Sequence, residues 1–272
     1  MDRHVIEALG RTRVVIVDGK VVEVGTPEVE YCPLFAKVRG IQVITPELVR
    51  ENIEFRIRDF GMCTSHREMR MRDFLSFGVS ELLGMAVSKD MLDAAVIVCE
   101  GAGTAVVADP QLIQGIGGRV SGILETTPID EVIDAIGRDM VLDPDSARID
   151  QYEGVKLAFD KGFKRVGVSV ATAADARRIR QEFGQRVAIF AVHTSGRTLS
   201  DAEAFFDTCD IITACASSAV RERARERALF QVGNKVPIYA ASLWGETLLR
   251  TRLEIIGKPN VTSPEEPPRP LI

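Results

Sequence analysis

His193 is the side chain whose type and position most clearly suggest chemistry. It ends the apolar run 186–193 and is followed by Thr194, Ser195 and Arg197. Histidine titrates near neutral pH, so at the end of a strand it can serve as a general acid or base. The alternative is a histidine whose ring is satisfied by a backbone carbonyl.

Two further candidate catalytic residues stand at the ends of apolar runs. Glu100 directly follows the run 94–99, and Cys215 ends the run 210–215. Cys215 also precedes a predicted helix start, where the helix dipole would lower the pKa of a thiol and favour a nucleophile. The alternative for Cys215 is a small buried cysteine, because free cysteines are among the most buried residue types.

Glycine-rich and hydroxyl-rich segments are candidate anion sites. Gly115–Arg119 could form a backbone nest for an anion, or it could be a helix stop followed by a tight turn. Gly101-Ala102-Gly103 begins like a dinucleotide fingerprint, but Val106 stands where the third glycine would fall. The candidate ligand-binding residues are Gly101, Gly103, Thr104, Gly117, Gly118, Arg119, Thr194, Ser195, Ser217 and Ser218.

No metal ion and no cofactor can be assigned from the sequence. Cys63 and His66 have the spacing of half a metal site, but a second pair is needed, and Cys32 and Cys99 could supply it only if the fold brings them close. The five cysteines are few and scattered, which is typical of reduced thiols rather than of a disulfide framework. A Walker A motif is absent from the sequence.

The composition limits the classes of partner. The 272 residues carry 34 Lys and Arg against 39 Asp and Glu, a net charge of −5, which argues against nucleic-acid binding. The arginine-dense segment 56–72 is nearly neutralised by neighbouring acids, although Arg70 and Arg72 could still clamp an anion. No apolar run approaches the ~20 residues of a membrane span, and the start lacks a secretory signal. We therefore expect a cytoplasmic protein.

The elements that must position these residues form an α/β pattern. Apolar runs recur at 94–99, 119–124, 139–142, 164–170, 186–193, 210–215 and 236–241, alternating with amphipathic stretches. Continuous Val, Ile and Ala runs are typical of parallel strands covered on both faces. The sequence therefore predicts a mainly parallel sheet built from consecutive βα units, in which the loops after the strands meet at one edge.

Three regions follow from this pattern. Residues 1–90 hold a predicted hairpin around Asp18-Gly19, a helix that begins after Thr45, and a helical stretch over 66–88 broken near Gly78. Residues 91–257 form the α/β domain. Residues 258–272 are rich in proline and are predicted to be a disordered tail.

Several segments in this order resemble one protein family. They are Phe60–Thr64, Val98–Thr104, Gln114–Gly122, Val192–Gly196, Asp210–Ser217 and Gln231–Gly233. Over residues 40–257 the chain is similar to the methanogenesis marker protein 8 family of archaea. The resemblance implies a cytoplasmic archaeal protein linked to methane metabolism, with a role in maturing or maintaining methyl-coenzyme M reductase or its coenzymes. It implies no reaction, cofactor or catalytic residue.

Two functions are therefore expected. The first is an enzyme that binds a small anionic metabolite at the strand ends, with the glycine segments and Arg119 holding the anion and His193 acting as acid or base. The second is a non-catalytic accessory protein that docks on a partner enzyme of methane metabolism. In that case the hydroxyls at the strand ends serve only as helix caps.

Overall fold

A computed structural model describes residues 1–73, 75–118, 122–257, 259–262 and 266–272. Over these ranges the strands are β1 (Arg3–Ala8), β2 (Thr12–Val17), β3 (Lys20–Val24), β4 (Ala94–Cys99), β5 (Gly103–Val107), β6 (Gly122–Thr126), β7 (Val166–Val170), β8 (Val187–Ala191), β9 (Ile211–Thr213), β10 (Phe230–Val232) and β11 (Ile238–Ala240). The α-helices are α1 (Pro33–Arg39), α2 (Pro46–Phe60), α3 (Val79–Ser88), α4 (Pro110–Gly117), α5 (Asp130–Ile136), α6 (Gln151–Asp160), α7 (Ala173–Phe183), α8 (Leu199–Thr208), α9 (Ser218–Arg227) and α10 (Leu243–Ile256). The protein is therefore a mixed α/β fold with two sheets.

The larger sheet is open and mixed. Its strand order is β10-β11-β9-β8-β7-β4-β5. The central strands β4, β7, β8 and β9 are parallel, whereas β5, β11 and β10 pair antiparallel with their neighbours. The prediction of a mainly parallel sheet is not confirmed, because an apolar run indicates burial on both faces but not strand direction.

Two predicted strands do not belong to this sheet. Within 119–124, residues 119–121 lie outside the described part of the chain, and the strand that follows, β6, pairs with β1 in the other sheet. Residues 138–140 form a 3-10 turn, and Val141 makes only an isolated bridge to Ala105. The edge strand β5, which the sequence did not predict, forms a hairpin with β4 through the turn at Gly101.

The smaller sheet is antiparallel, with strand order β3-β2-β1-β6. The predicted hairpin at Asp18-Gly19 is confirmed as β2 and β3. The predicted helix after Thr45 is confirmed as α2, since the Thr45 side chain accepts a hydrogen bond from the Leu48 amide and Gly61 ends the helix at φ +64°. Apolar residues of α2 and of this sheet form one core.

The predicted helical stretch 66–88 is helical only in its last part, α3. The described residues before it, 66–73 and 75–78, are irregular. They are fixed by tertiary contacts, because Arg67 reaches into the interior and the Met71 amide donates to the Gln111 carbonyl. Such distant partners override local helix propensity.

Helices cover both faces of the larger sheet. Helices α6, α7, α8 and α9 enclose one apolar core, and α3, α4 and α10 enclose the second. This arrangement buries the central parallel strands on both sides. It leaves their carboxyl ends as the edge at which loops from separate parts of the chain meet.

Part of the segment predicted as a disordered tail contacts the rest of the chain. Arg269 pairs with Tyr31 in an isolated bridge, and the Ile272 amide donates to the Ala216 carbonyl at 2.9 Å. These contacts place residues 266–272 beside the loops that follow β8 and β9. In the described residues, no helix combines the length and apolar character that a membrane crossing requires.

Candidate functional site

A cleft lies at the carboxyl ends of the central parallel strands. It consists of two adjoining cavities of about 590 and 290 Å³, which share Val79, Ser80, Gly117, Val192 and His193 as lining residues. Loops that follow β7, β8 and β9 contribute Thr172, His193 and Cys215 to the lining. The predicted convergence of these loops is thus present, and it is where parallel sheets commonly bind ligands.

His193 lies where the two cavities join. Its ring Nδ1 is 3.6 Å from a carboxylate oxygen of Glu7, which projects from β1 of the smaller sheet. The imidazole is 40% exposed, and a Cβ added to Gly122 would lie 3.1 Å from its Cε1 atom. Gly122 is the register partner of Glu7 on β6, so the ring packs against the one residue type that leaves room for it.

The backbone at the cleft holds two residues in the left-handed conformation. His193 has φ +52° and Cys215 has φ +44°. This conformation costs about 1–2 kcal/mol for residues other than glycine. Strained residues of this kind cluster at functional sites, where the surrounding structure holds them in place.

Glu7 is held as a carboxylate. Burial alone would raise its pKa, but the neighbouring His193 and the charges of Arg11 and Arg197 outweigh burial, and the pKa is lower than the ordinary 4.5. The Nδ1 atom of His193 faces this carboxylate, so Nε2 is the ring nitrogen that does not face Glu7.

Arg197 supplies a cation beside this pair. It lines the smaller cavity, and its Nε atom is buried without a hydrogen-bond partner among the described residues. A buried guanidinium donor that lacks an acceptor costs free energy unless a ligand or water satisfies it. Carboxylate, phosphate and sulfonate oxygens are matching acceptors.

Cys215 lines the larger cavity, but its thiol is not activated. Burial raises the pKa of Cys215 to about 11, and a hydrogen bond from the Thr194 amide offsets burial only in part. The expected lowering of the pKa by a helix dipole is wrong in direction. Cys215 is a neutral thiol at pH 7, which is a poor nucleophile.

Glu100 is a structural residue rather than a member of the cleft. Its carboxylate accepts a hydrogen bond from Arg67 Nε at 2.6 Å, and the two side chains are 0% and 1% exposed. The remaining guanidinium nitrogens of Arg67 donate to the carbonyl oxygens of Glu68 and Gly115. Burial also raises the pKa of the neighbouring Cys63 and Cys99 thiols well above 9.0.

Gly101, Gly103 and Thr104 form a hairpin instead of an anion loop. Gly101 and Gly103 have φ +82° and +69° in the turn between β4 and β5. A Cβ on Gly103 would lie 2.1 Å from the Ala147 carbonyl oxygen. Thr104 is fully buried and its hydroxyl donates to Gln151. None of the three lines the described cleft.

The hydroxyls after β8 and β9 hold the loops together. Thr194 donates to the Thr213 carbonyl at 2.6 Å, and Ser195 accepts from the Ala216 amide at 3.0 Å. Ser217 caps α9 by accepting from the Val220 amide. Ser218 has an exposed side chain, and its amide donates to Ile272. Of these four residues Ser217 serves as a helix cap, as the second hypothesis expects, whereas Thr194 and Ser195 join the two loops.

The second glycine segment lies partly at the cleft. Gly117 lines both cavities and Gly118 lines the larger one. Arg119, the predicted anion ligand beside them, lies outside the described residues. Cys63 is buried whereas His66 is exposed, so these two do not form half a metal site. Within the described ranges, no group of three His, Cys, Asp or Glu side chains could hold a metal ion.

Sequence analysis missed Glu7, the partner of His193. Glu7 stands in the segment His4-Val5-Ile6-Glu7, whose two apolar residues are adjacent and do not alternate with polar ones, so the segment carries only a weak strand signal. No signal in the sequence indicates that β1 lies beside the loop after β8. The sequence placed Arg197 close to His193, and the structure shows that Arg197 lines the smaller cavity with a buried Nε atom.

Replacing His193 by Gln should raise the pKa of Glu7. A carboxyl whose folded pKa is lowered stabilises the fold above pH ~4.5, and this contribution is lost as the pH falls through the folded pKa. The His193→Gln chain should therefore lose part of this contribution at neutral pH. Carboxyl ¹³C NMR titration measures the shift. The exposed His66→Gln control should leave the Glu7 titration unchanged, and an unchanged titration in His193→Gln would show that the contact is not made.

The chain belongs to a family of archaeal proteins. The family model described as "Uncharacterized protein conserved in archaea (DUF2099)" matches residues 4–254, which include His193, Glu7 and Arg197. Among curated proteins, the Uncharacterized protein MJ0054 of Methanocaldococcus jannaschii is 42% identical over 283 residues, covering 100% of each chain. No solved structure matches the chain.

Proposed function

We propose that this protein is an enzyme that acts on a small anionic metabolite or coenzyme bound in the cleft. The observation that supports this most directly is the position of His193, at the junction of two cavities and 3.6 Å from Glu7. A histidine oriented by a carboxylate beside a ligand-sized cavity is a typical acid–base arrangement.

The proposed proton transfer uses the side of His193 that does not face Glu7. The Glu7 carboxylate orients the ring and stabilises the imidazolium that forms when Nε2 accepts a proton. The guanidinium charge of Arg197 is close enough to Glu7 to lower the pKa of its carboxyl. The charges of Arg197 and Glu7 therefore both act on a ligand beside His193. Glu7 is a positioning residue, whereas His193 would contact the reacting atoms.

The cleft also defines the shape of the ligand. Arg197 pairs with a carboxylate, phosphate or sulfonate group in the smaller cavity. Apolar residues, among them Phe77, Val236 and Ile238, line the larger cavity. Its volume of about 590 Å³ is within the range of ~300–1,000 Å³ that small-molecule sites occupy. We therefore expect a ligand with one anionic end and an apolar body.

A thermal-shift panel of phosphorylated, sulfonated and carboxylated metabolites, including methanogenic coenzymes, tests this proposal. A ligand at 100 times its Kd should stabilise the chain by about 2.7 kcal/mol. Arg197→Gln should abolish that stabilisation, since it removes the cation that faces the anion. His193→Gln should leave most of the binding but lower turnover by ~10²-fold or more.

Two matched variants control for the loss of charge alone. Arg13→Gln removes an exposed guanidinium that pairs with Glu23 outside the cleft, and His66→Gln removes an exposed imidazole. Both should retain the ligand-induced shift. A shift that survives in Arg197→Gln, or one that is lost equally in Arg13→Gln, would contradict the assignment of the anion to Arg197.

The metabolic context that we propose is methane metabolism. Its support is the ordered set of segments between residues 40 and 257 that resembles the methanogenesis marker protein 8 family. Within that context, coenzymes with phosphate, carboxylate or sulfonate groups fit the chemistry expected of the cleft. Growth of a methanogen that lacks this gene, with and without supplied coenzymes, tests the link.

A second candidate function is that of an accessory factor docking on methyl-coenzyme M reductase or a related enzyme. The engaged hydroxyls of Thr194, Ser195 and Ser217 favour it, because they bind the chain itself rather than a ligand. Affinity purification of the tagged chain separates the two. Stoichiometric recovery of a reductase subunit, together with no ligand-induced shift, supports the accessory role.

A further inference from the structure

A further cavity, separate from the two that form the His193 cleft, lies between α1 and α2. We call it the helix-pair cavity, and its volume is about 420 Å³. Its walls include Phe35, Val38 and Phe55, which are apolar, and Arg39, Asn52 and Arg56, which are polar. None of the described residues that line it is acidic.

The charges at this cavity are positive and close to one another. Arg39 places its guanidinium carbon 4.4 Å from the centre of the Phe55 ring. Arg56 is half-buried, and its pKa falls to about 10, first because of burial and then because of the like charges of Arg39 and Arg67, while the charge of Glu100 acts in the opposite direction. An anion in the cavity would interact favourably with the charges of both Arg39 and Arg56.

Asn52 provides an independent observation. Its side chain is only 9% exposed, and its Oδ1 atom is buried without a hydrogen-bond partner among the described residues. Buried amide groups are nearly always hydrogen-bonded in folded proteins. A ligand that donates to this oxygen, or that accepts from the amide after rotation, would satisfy the group.

We propose that the helix-pair cavity is a binding site for an organic anion, with Arg39 and Arg56 holding the charged group and the aromatic wall of Phe35 and Phe55 contacting an apolar body. Guanidinium groups bind carboxylate, phosphate and sulfonate oxygens in bidentate geometry. Asn52 orients the ligand by a hydrogen bond. The assignment does not depend on His193, Glu7 or Arg197.

The helix-pair cavity is next to the His193 cleft. Leu34, Leu75 and Gly118 line both it and the larger cavity of the cleft. A molecule bound between α1 and α2 therefore contacts the wall of the proposed active site. The site fits either a second ligand or the distal anionic group of a long substrate. In both cases the group that it recognises is an organic anion.

Calorimetric titration of the full chain with 1-naphthalenesulfonate tests the site. Its neutral analogue, 1-naphthalenesulfonamide, has nearly the same apolar body without the charge. We expect the sulfonate to bind at least ~10-fold more tightly than the sulfonamide. Arg39→Gln, which changes an exposed side chain, should weaken sulfonate binding by a further ~10-fold relative to wild type.

Lys37→Gln is the matched control. Lys37 is on the same helix as Arg39, is exposed and does not line the cavity. It should change sulfonate affinity less than ~2-fold. Equal binding of the two probes, or an Arg39→Gln chain that binds as wild type does, would overturn the inference.

A further variant separates this inference from the proposed enzyme. If Arg197→Gln weakens sulfonate binding and Arg39→Gln does not, the probe occupies the His193 cleft, so the helix-pair site is wrong while the proposed function stands. If Arg39→Gln alone weakens binding, the helix-pair site is supported. A perturbation of the Asn52 side-chain amide signals in ¹⁵N NMR spectra should accompany it.

Discussion

Replacing Glu100 by Gln should lower the free energy of unfolding by about 3–5 kcal/mol, because it leaves the buried Arg67 cation without its counter-charge. The two side chains are almost fully buried and 2.6 Å apart, so solvent cannot compensate for the lost carboxylate. Urea unfolding followed by circular dichroism measures the change. At urea concentrations above the unfolding midpoint of this variant, we expect both the folded structure and the activity to be lost.

The exposed pair of Arg13 and Glu23 is the control. Its side chains are 46% and 61% exposed, and Glu23→Gln should cost less than ~1 kcal/mol. A double variant, Arg67→Met with Glu100→Leu, should recover part of the loss, although the Gly115 carbonyl then lacks its donor. If Glu100→Gln were fully stable but inactive, Glu100 would have the catalytic role that its sequence position suggested.

Gly103→Ala should also destabilise the chain strongly, by about 3 kcal/mol or more. The left-handed backbone at φ +69° costs an alanine ~1–2 kcal/mol. In addition, the new Cβ would lie 2.1 Å from the Ala147 carbonyl oxygen, so the backbone must move. Thermal unfolding of the purified variant measures the loss.

Gly40→Ala isolates the conformational part of this effect. Gly40 has φ +70° and no atom within 4 Å of its added Cβ, so its variant should lose only ~1–2 kcal/mol. The difference between the two variants reports the steric contact. Equal losses would show that the turn between β4 and β5 is not packed against Ala147, and would return Gly103 to the candidate ligand residues.

Local patterns predicted the elements whose signals are local. The Asp18-Gly19 hairpin and the helix after Thr45 have their turn and cap residues within a few positions, and both formed as expected. The central strand β8 is a continuous apolar run that is buried on both faces. Because β8 pairs parallel with β7, His193 lies at the predicted edge of the sheet.

Long-range partners account for what the sequence did not predict. Arg67 bonds Glu100 across 33 positions, and no spacing rule links a carboxylate after a strand to an arginine in an irregular segment. The same holds for Glu7 on β1 and His193 after β8, which are 186 positions apart in the sequence and 3.6 Å apart in the structure. The direction of the strands at the sheet edges could not be predicted either. An apolar run such as β11 has the same pattern whether the strand is parallel or antiparallel to its neighbour.

Fewer of the predicted site residues line the cleft than the sequence suggested. Of the candidate catalytic residues, His193 lies at the junction of the cavities, Cys215 is a neutral thiol at their edge, and Glu100 is interior. The hydroxyl residues stabilise loops. In the function that we propose, Arg197 binds the anion that the glycine segments and Arg119 were expected to hold, and Glu7 positions His193.

A crystal structure of the full chain with the metabolite that stabilises it most is the most direct measurement. The account predicts the anionic group within ~3 Å of the Arg197 guanidinium and a polar atom of the ligand hydrogen-bonded to His193 Nε2. Density for the same metabolite at the amino-terminal edge of the central strands, with His193 and Arg197 untouched, would contradict it.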